Sequence, residues 1–207
     1  MSTSATTLVL ASRNRKKLGE MAALLAPHGL SLVAATDLPH APDVEEGTAG
    51  FAENAALKAS LVARAVGRWC VGDDSGLEVD VLGGAPGVFS ARYAGAGATD
   101  QDNNQRLLRE LEQVPDERRT ARFVCHLAVA APTGQIRLQV CGSCRGRIVR
   151  DHRGRSGFGY DPLFLLPEYH RTFGELSPAV KGVLSHRARA FEQLVPRLVA
   201  LLRAEAE

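Results

Sequence analysis

The sequence carries almost no net charge, and this absence argues against two broad classes of partner. Its 207 residues include 25 basic and 23 acidic side chains, which leave a formal charge of +2. A protein that binds nucleic acid or an anionic membrane through its overall field has a much larger basic excess. We therefore expect neither as a partner. A content of 45% hydrophobic and 23% charged residues is typical of a globular protein.

Long apolar runs are missing as well. No stretch approaches the roughly 18 apolar residues that are needed to span a bilayer. The run Leu8–Ala11 is too short for a secretory signal, and no basic residue precedes it. We therefore predict a cytoplasmic protein and, from the length of the chain, a single domain over residues 1–207.

Cysteine is scarce, and its spacing argues against a metal or redox site. The closest pair, Cys141 and Cys144, lies where apolar and polar residues alternate, a pattern that predicts a strand. Side chains three residues apart on a strand point to opposite faces, so this pair cannot bind one metal ion or close a small disulfide. Cys70 and Cys125 stand among apolar neighbours and are interpreted as small core residues.

What the sequence does contain is a regular alternation of strands and helices, which is typical of an α/β fold. The first half predicts strands at 7–11, 31–35 and 69–74, and helices at 17–25 and 51–66. The second half predicts a helix capped by Asp100 or Asp102, a hairpin of strands 122–131 and 135–144, a loop over 145–159, a helix starting at Ser177-Pro178, and a final helix over 185–205. The sum is a mixed central sheet flanked by helices. The hairpin suggests a second lobe, and two lobes suggest a cleft.

The segment Ser12–Lys17 lies between a predicted buried strand and a helix start, where backbone N–H groups and the helix dipole favour a phosphate. It contains two of the four lysines in the chain. It lacks the glycines of a Walker loop. A solvated basic helix start is the alternative interpretation.

Carboxylates flank the predicted helix 51–66 on both sides. Glu45-Glu46 lies in a polar loop, and Asp73-Asp74 lies at the expected end of a strand, where Gly72 and Gly76 would permit a sharp turn. Mg²⁺ prefers oxygen ligands and usually takes one or two carboxylates, with water and phosphate completing its shell. Adjacent residues of a strand point to opposite faces, so only one of Asp73 and Asp74 is expected in a given site.

Two further segments indicate a flat ligand. Gly157-Phe-Gly-Tyr-Asp161 combines glycines with aromatic rings that could stack on a base, although a buried aromatic plug is the alternative. Lys181 precedes His186-Arg187 near the start of the last helix. The arginines between residues 145 and 155 are interpreted as a solvated loop, because no aromatic residues are interleaved with them.

Together these segments resemble the family of inosine/xanthosine triphosphate pyrophosphatases, the Ham1-like purine nucleotide hydrolases. Six blocks occur in the family's order: 11–20, Glu46 with 51–59, 73–80, 82–95, 157–164, and Lys181 with 185–187. The resemblance implies a single elongated α/β domain of two lobes, with the nucleotide in a cleft between them and usually a homodimer. It implies hydrolysis of ITP, dITP and XTP at the α–β phosphoanhydride to a nucleoside monophosphate and pyrophosphate.

The resemblance also implies roles for individual residues. Asp74 would be the general base for the attacking water and a ligand of Mg²⁺, with Glu46 as the second ligand. The phosphates would be held by Ser12, Arg13, Asn14, Arg15, Lys16 and Lys17, with further polar contacts from Ser75 and Lys181. The base and sugar would be held by Phe158, Gly159, Tyr160, Asp161, His186 and Arg187.

The chain departs from the family pattern at two positions. Gly50 stands where the family often has threonine, and Arg13 replaces a common glycine, which leaves the backbone geometry of the first motif open. Two other functions are alternatives: a related pyrophosphatase for pyrimidine or modified nucleotides, such as the septum-associated enzymes, and a non-catalytic nucleotide-binding or arginine-rich module. The blocks at 157–161 and 185–187 argue against the first, and Asp74, Glu46 and Lys17 argue against the second.

Overall fold

A computed structural model of the protein, which describes residues 6–205, contains one seven-stranded mixed sheet. The strands lie in the order β2-β1-β3-β4-β5-β6-β7. Their bounds are β1 Thr6–Ala11, β2 Leu30–Ala34, β3 Cys70–Val79, β4 Thr120–Ala130, β5 Ile136–Ile148, β6 Phe164–Leu166 and β7 Arg171–Thr172. β1 pairs in parallel with β2 and β3, whereas β6 pairs antiparallel with β5 and β7. The α/β class and the mixed sheet are confirmed.

Within residues 6–205, five α-helices accompany the sheet: α1 Arg15–Leu25, α2 Phe51–Val66, α3 Asp100–Glu110, α4 Pro178–Leu184 and α5 His186–Ala204. Within the part of the chain that the structure describes, no helix is long and apolar enough to cross a membrane. Of the residues that precede the apolar run Leu8–Ala11, residues 1–5 lie outside the described ones, so the prediction about a secretory signal falls partly outside the structure.

The chain divides into two compact units. The first comprises Met1–Asp74, Cys125–Gly142 and Arg187–Glu207, and the second comprises Ser75–Val124 and Ser143–His186. The core of the first unit lies on both faces of its strands because successive strand residues point to opposite sides. Leu8 and Leu10 pack with residues of α1 and α5, and Val9 packs with the alanine-rich face of α2. Burial on both faces explains why β1 is a continuous apolar run.

Strand β3 differs from its prediction. The sequence predicts a strand that ends at the acidic residues, with Gly72 opening a turn, but β3 continues through Asp73 and Asp74 to Val79. Gly72 serves instead for close packing against α2, since a Cβ at this position would lie 2.0 Å from the carbonyl oxygen of Ala55. The absence of a side chain therefore lets the helix approach the strand directly beside Asp73.

We expect Gly72→Ala to lower the free energy of unfolding by at least about 1–3 kcal/mol, the usual penalty of overpacking a core. The added methyl group would meet the backbone of α2, which cannot move aside as a flexible side chain can. Gly19→Ala is the matched control, because nothing lies within 4 Å of a Cβ there and alanine favours the helix α1. Urea unfolding of both variants measures the difference, and equal stability of the two would contradict the close approach.

The core of the second unit is built around a cluster of aromatic rings. The ring centroid of Phe164 lies 4.5 Å from that of Phe123 and 5.4 Å from that of Phe173. Leu77 of β3 and Leu107 of α3 are buried in the same cluster. These contacts connect β3, β4 and α3 to β6 and to the residues that follow β7.

Several boundaries in the second half also differ from their predictions. Thr99 rather than Asp100 or Asp102 caps α3, and Asp102 completes a capping box with it. Strand β5 extends to Ile148 into the predicted loop, and β6 and β7 were not predicted. Ser177 and Pro178 begin α4 as expected. Cys141 is exposed whereas Cys144 is buried, which confirms that these side chains point to opposite faces of β5.

Candidate active site

Two carboxylates of the first unit converge on one lysine. The Nζ atom of Lys58 donates to Glu46 Oε1 at 2.6 Å and to Asp74 Oδ1 at 3.3 Å. Asp74 lies on β3, Lys58 on α2, and Glu46 in the irregular segment that precedes α2. The other oxygen of Asp74 accepts a hydrogen bond of 2.9 Å from the side-chain amide of Asn54. The two acids that sequence analysis assigns to one metal thus surround a single positive charge.

Burial and the neighbouring charges together determine the pKa values of Lys58 and Asp74. Burial would lower the pKa of Lys58, but the carboxylates of Asp74 and Glu46 outweigh it and raise that pKa above its ordinary value. Burial raises the pKa of Asp74 above its ordinary value as well, and the charge of Glu46 adds to this although Lys58 opposes it. Asp74 is therefore a more basic carboxylate than an exposed aspartate, which suits a group that must accept a proton.

Asp73, the neighbouring acid, has a different set of partners. Its side chain is fully buried, and Oδ1 accepts a hydrogen bond from the ammonium of Lys17. Oδ2 lies 3.3 Å from the sulfur of Cys125 and 3.5 Å from Nε of Arg187. The expectation that the two acids point to opposite sides is confirmed. Asp73 connects the phosphate motif to the start of α5.

The charges around Asp73 determine its ionisation. Burial would raise its pKa, but the nearby cations Lys17 and Arg187 lower it well below the ordinary range. Burial would likewise lower the pKa of Arg187, which Asp73 and Glu20 instead raise. The Arg187 guanidinium is also ion-paired with Glu20 of α1. The surrounding cations thus favour the ionised form of Asp73, whereas burial disfavours the ionised form of Asp74.

The predicted phosphate motif forms the first turn of α1 and the residues before it. Asn14 caps this helix, and its Oδ1 accepts from the backbone amides of Lys16 and Lys17 at 2.9 and 3.1 Å. Ser12 is half-buried, and its hydroxyl accepts from the amide of Asn14. Because Asn14 already satisfies two helix amides, side-chain donors are better suited than these amides to bind a phosphate here.

The two arginines of the motif are exposed and pair with acids nearby. Arg13 lies 2.9 Å from Asp43, and Arg15 binds Asp37 with two hydrogen bonds. Exposed ion pairs of this kind contribute only about 0–1 kcal/mol. Both guanidinium groups could therefore exchange their carboxylate for a phosphate at low cost.

In the second unit, Asp161 organises the glycine–aromatic loop. Its Oδ2 accepts from the backbone amide of Phe158 at 2.9 Å and from Nζ of Lys181 at 2.6 Å. A Cβ on Gly157 would lie 2.0 Å from the same oxygen, so this glycine makes room for Asp161. Lys181 is buried and lies 4.7 Å from the centroid of the Phe158 ring. A cation, a carboxylate and an aromatic face are thus held together in this loop.

The other predicted base-contacting residues of this unit are largely buried. Tyr160 belongs to the hydrophobic core, and its hydroxyl donates to the carbonyl of Ser90 at 2.9 Å. His186 stacks on Phe123 with centroids 4.8 Å apart. Gly159 lies at the tip of the loop, with a positive φ of 61°. Ser75 is half-buried on β3, directly after Asp74. Phe158 is half-buried, whereas the ring of Tyr160 packs inside the unit.

Sequence analysis did not assign Asn54 and Lys58 to the site, although both contact Asp74. Their spacing in the sequence could have predicted that they lie together. Residues four apart share one face of a helix, so the two polar side chains of an otherwise alanine-rich segment point in the same direction. Both are buried, which is unusual for lysine and asparagine unless they are paired.

The carboxylate oxygens around Lys58 are of the kind that could bind a magnesium ion. Glu46 and Asp74 supply the hard carboxylate oxygens that Mg²⁺ prefers, and in this structure they already converge on a cation. Among the described residues, no group of three or more histidine, cysteine, aspartate or glutamate side chains is placed to hold a metal. An ion at this position would therefore take its remaining ligands from water and substrate phosphate.

The chain is similar to known proteins over most of its length. A model of the Ham1 family matches residues 8–197. The dITP/XTP pyrophosphatase of Rhodopirellula baltica is 49% identical over 199 residues, which cover 96% of both chains. The dITP/XTP pyrophosphatase of Geobacillus kaustophilus is 51% identical over 187 residues, or 90% of this chain and 91% of that protein.

Solved structures show the same similarity in three dimensions. The HAM1 protein from Coxiella burnetii has a TM-score of 0.85 and 42% sequence identity, covering 94% of this chain and 99% of that one. The Staphylococcus aureus Ham1 protein has a TM-score of 0.82 at 35% identity, with the same coverage. The similarity therefore extends over both units.

Proposed function

The chain belongs to the Ham1 family, and from that premise we propose that it hydrolyses deaminated purine nucleoside triphosphates, ITP, dITP and XTP, to a nucleoside monophosphate and pyrophosphate. The observation that carries the proposal is the cluster of Asp74, Glu46 and Lys58, in which Asp74 and Lys58 are buried and Glu46 is partly exposed. A base of raised pKa beside a cation suits the activation of water against a polyanionic substrate.

In this proposal the triphosphate binds to residues of the first unit. Lys17 and the side chains of Ser12, Asn14 and Lys16 donate to phosphate oxygens, and Arg13 and Arg15 exchange Asp43 and Asp37 for phosphate. Lys58 neutralises charge beside the reacting phosphoryl group. These donors have to offset the negative charges of the triphosphate, which would otherwise repel the attacking oxygen as the water loses its proton.

Asp74 accepts the proton of the attacking water in this scheme. Its hydrogen bond from Asn54 orients one carboxylate oxygen, while the other faces Lys58. Glu46 and Asp74 would hold Mg²⁺, which when bound neutralises phosphate charge and polarises a phosphoryl oxygen. Asp74 lies on a strand that packs closely against α2, so its backbone is held between neighbouring elements.

The purine binds to the loop of the second unit. The ring of Phe158 offers a stacking face, and the ammonium of Lys181 offers donors for the 6-oxo group of hypoxanthine or xanthine. Adenine presents an amino donor at that position, which would leave a buried donor without an acceptor and so disfavour ATP. GTP also has a 6-oxo group, and its 2-amino group is about as large as the 2-oxo group of XTP, so GTP has to be excluded by the hydrogen-bonding character of the groups that face position 2. A cleft between two lobes, a homodimer and a cytoplasmic location remain predictions.

The proposal predicts rapid release of pyrophosphate from ITP, dITP and XTP, and slow release from ATP and GTP, in a reaction that stops when Mg²⁺ is chelated. Separate assays for pyrophosphate and orthophosphate determine which bond is cleaved. An Asp74→Asn preparation purified in the same way is the blank for contaminating phosphatases. Orthophosphate as the first product, or equal rates with ITP and ATP, would contradict the reaction or the specificity respectively.

A further inference from the structure

The side chain of Asn54 makes three hydrogen bonds, all of them to the segments that carry the two carboxylates. Its Oδ1 accepts from the backbone amide of Gly47 at 2.9 Å, and its Nδ2 donates to the carbonyl of Gly47 at 3.1 Å. The same Nδ2 donates to Asp74 Oδ2 at 2.9 Å. Asn54 is 2% exposed and its bond to Asp74 is buried, whereas its two bonds to the exposed Gly47 are partly buried. Both amide protons and one acceptor site are therefore used.

These contacts serve neither the helix nor its packing. Asparagine is a poor helix former compared with alanine, and Asn54 stands in a helix where alanine predominates. Burying its amide also requires that the polar atoms find partners. A residue that is unfavourable for α2 is thus placed where its side chain reaches both the loop and the strand.

The loop in question needs such an anchor. Residues 38–50 contain neither helix nor strand, and Glu46 lies within them directly before Gly47. The paired hydrogen bonds to the N–H and C=O of Gly47 fix one peptide position beside Glu46 in relation to α2. The third bond fixes a carboxylate oxygen of Asp74 to the same amide group. One side chain therefore relates the positions of both acids.

We propose that Asn54 is a positioning residue, which holds Glu46 and Asp74 in register with each other so that a divalent cation meets both carboxylates already in place. The inference rests on the proposed function in one respect, the assignment of Glu46 and Asp74 as the metal ligands. Residues that orient metal ligands commonly change metal affinity by about 10–100-fold when they are replaced. Ordering the loop in advance removes an entropic cost from binding.

The test uses Asn54→Ala, which removes the three bonds while improving the helix propensity of α2. Glu53→Ala, one residue earlier on the exposed side of the helix, is the matched control. Mn²⁺ alone, titrated into the full-length protein without nucleotide, is followed by the electron paramagnetic resonance signal of the free ion. Hydrogen exchange of the Gly47 amide reports on the anchor directly. The rate with dITP is measured across Mg²⁺ concentrations.

For Asn54→Ala we expect Mn²⁺ affinity to fall by about 10–100-fold and the Gly47 amide to lose protection. The Mg²⁺ concentration for half-maximal rate should rise by a similar factor, whereas KM for dITP at saturating Mg²⁺ stays near the unmodified value. Glu53→Ala should leave all of these unchanged. If Asn54→Ala fails to fold, Asn54→Ser, which keeps a polar group too short to reach both partners, gives the same readings.

Glu46→Gln and Asp74→Asn distinguish the assignment of the metal ligands from the positioning role of Asn54. Unchanged Mn²⁺ affinity in both would overturn the metal assignment, and the positioning role with it. If both weaken Mn²⁺ binding while the Asn54 variants do not, the proposed function stands and the positioning role is wrong. Weak binding with full protection of the Gly47 amide would also overturn it, because the loss would then not arise from the anchor.

Discussion

Asp74→Asn should lower kcat by about 10²–10⁴-fold, the usual contribution of a general base. Asparagine has nearly the same shape, but it cannot accept the proton of the attacking water and it is a weaker ligand for Mg²⁺. Because the pKa of Asp74 is raised in the folded protein, its ionised form is less favourable there than in the unfolded chain. Removing the charge relieves that cost, but the amide nitrogen of asparagine then faces one of two donors, Asn54 or Lys58, so the two effects oppose each other and stability at neutral pH should stay close to that of the unmodified protein.

The rate is measured as pyrophosphate release at saturating dITP and Mg²⁺, alongside the thermal midpoint of each protein. Asp151→Asn is the control, since Asp151 is an exposed carboxylate in an irregular segment of the second unit. A fall in kcat together with an unchanged Tm would show that the side chain acts in chemistry rather than in folding. A variant within about threefold of the unmodified rate would place the base elsewhere.

The elements best predicted from the sequence are those whose signals are local. Helix α2 begins and ends at the predicted residues, Phe51 and Val66, because a long alanine-rich periodic segment is followed by Gly67 in the left-handed conformation. Strand β1 is found within one residue of its prediction for a similar reason. The hairpin of β4 and β5 was predicted from its turn, although both strands extend further than expected.

The main error in the fold arose where distant residues override local preference. Aspartate and glycine are disfavoured in strands, so the acidic segment predicts a turn. Strand β3 continues because Lys17 and Arg187, far away in sequence, neutralise Asp73 inside the protein. No window of neighbouring residues contains that information. The strands β6 and β7 are short, with three and two residues, and have too little pattern to be recognised.

In the candidate site, too, some features follow from local sequence and others depend on tertiary contacts. Glu46 and Asp74 were predicted as partners, and the structure brings both to Lys58. The functions of Asn54 and Lys58 depend on which face of α2 meets β3, a tertiary relation that the sequence does not state. The sequence also does not show that the two adjacent acids differ in pKa. Burial raises the pKa of Asp74, whereas the surrounding cations lower that of Asp73.

Asp73→Asn, unlike Asp74→Asn, is expected to destabilise the folded protein. It should lower the free energy of unfolding by about 3–5 kcal/mol at neutral pH, the usual effect of breaking a buried ion pair. The carboxylate is fully buried with Lys17 and Arg187, and its removal leaves their charges less compensated. Loss of Lys17's anchor should also raise KM for the nucleotide, since this lysine belongs to the proposed phosphate site.

The pH dependence distinguishes this explanation from a packing defect. A carboxylate whose pKa is depressed in the folded state contributes stability above its unfolded pKa, about 3.9, and loses it as the pH falls through the folded value. The difference between the unmodified protein and Asp73→Asn should therefore be largest near pH 7 and narrow below about pH 4. Asp43→Asn, which breaks the exposed pair with Arg13, should change stability by no more than about 1 kcal/mol. Urea unfolding across this pH range measures both variants, and a difference that stays constant with pH would mean that Asp73 stabilises the fold by shape rather than by charge.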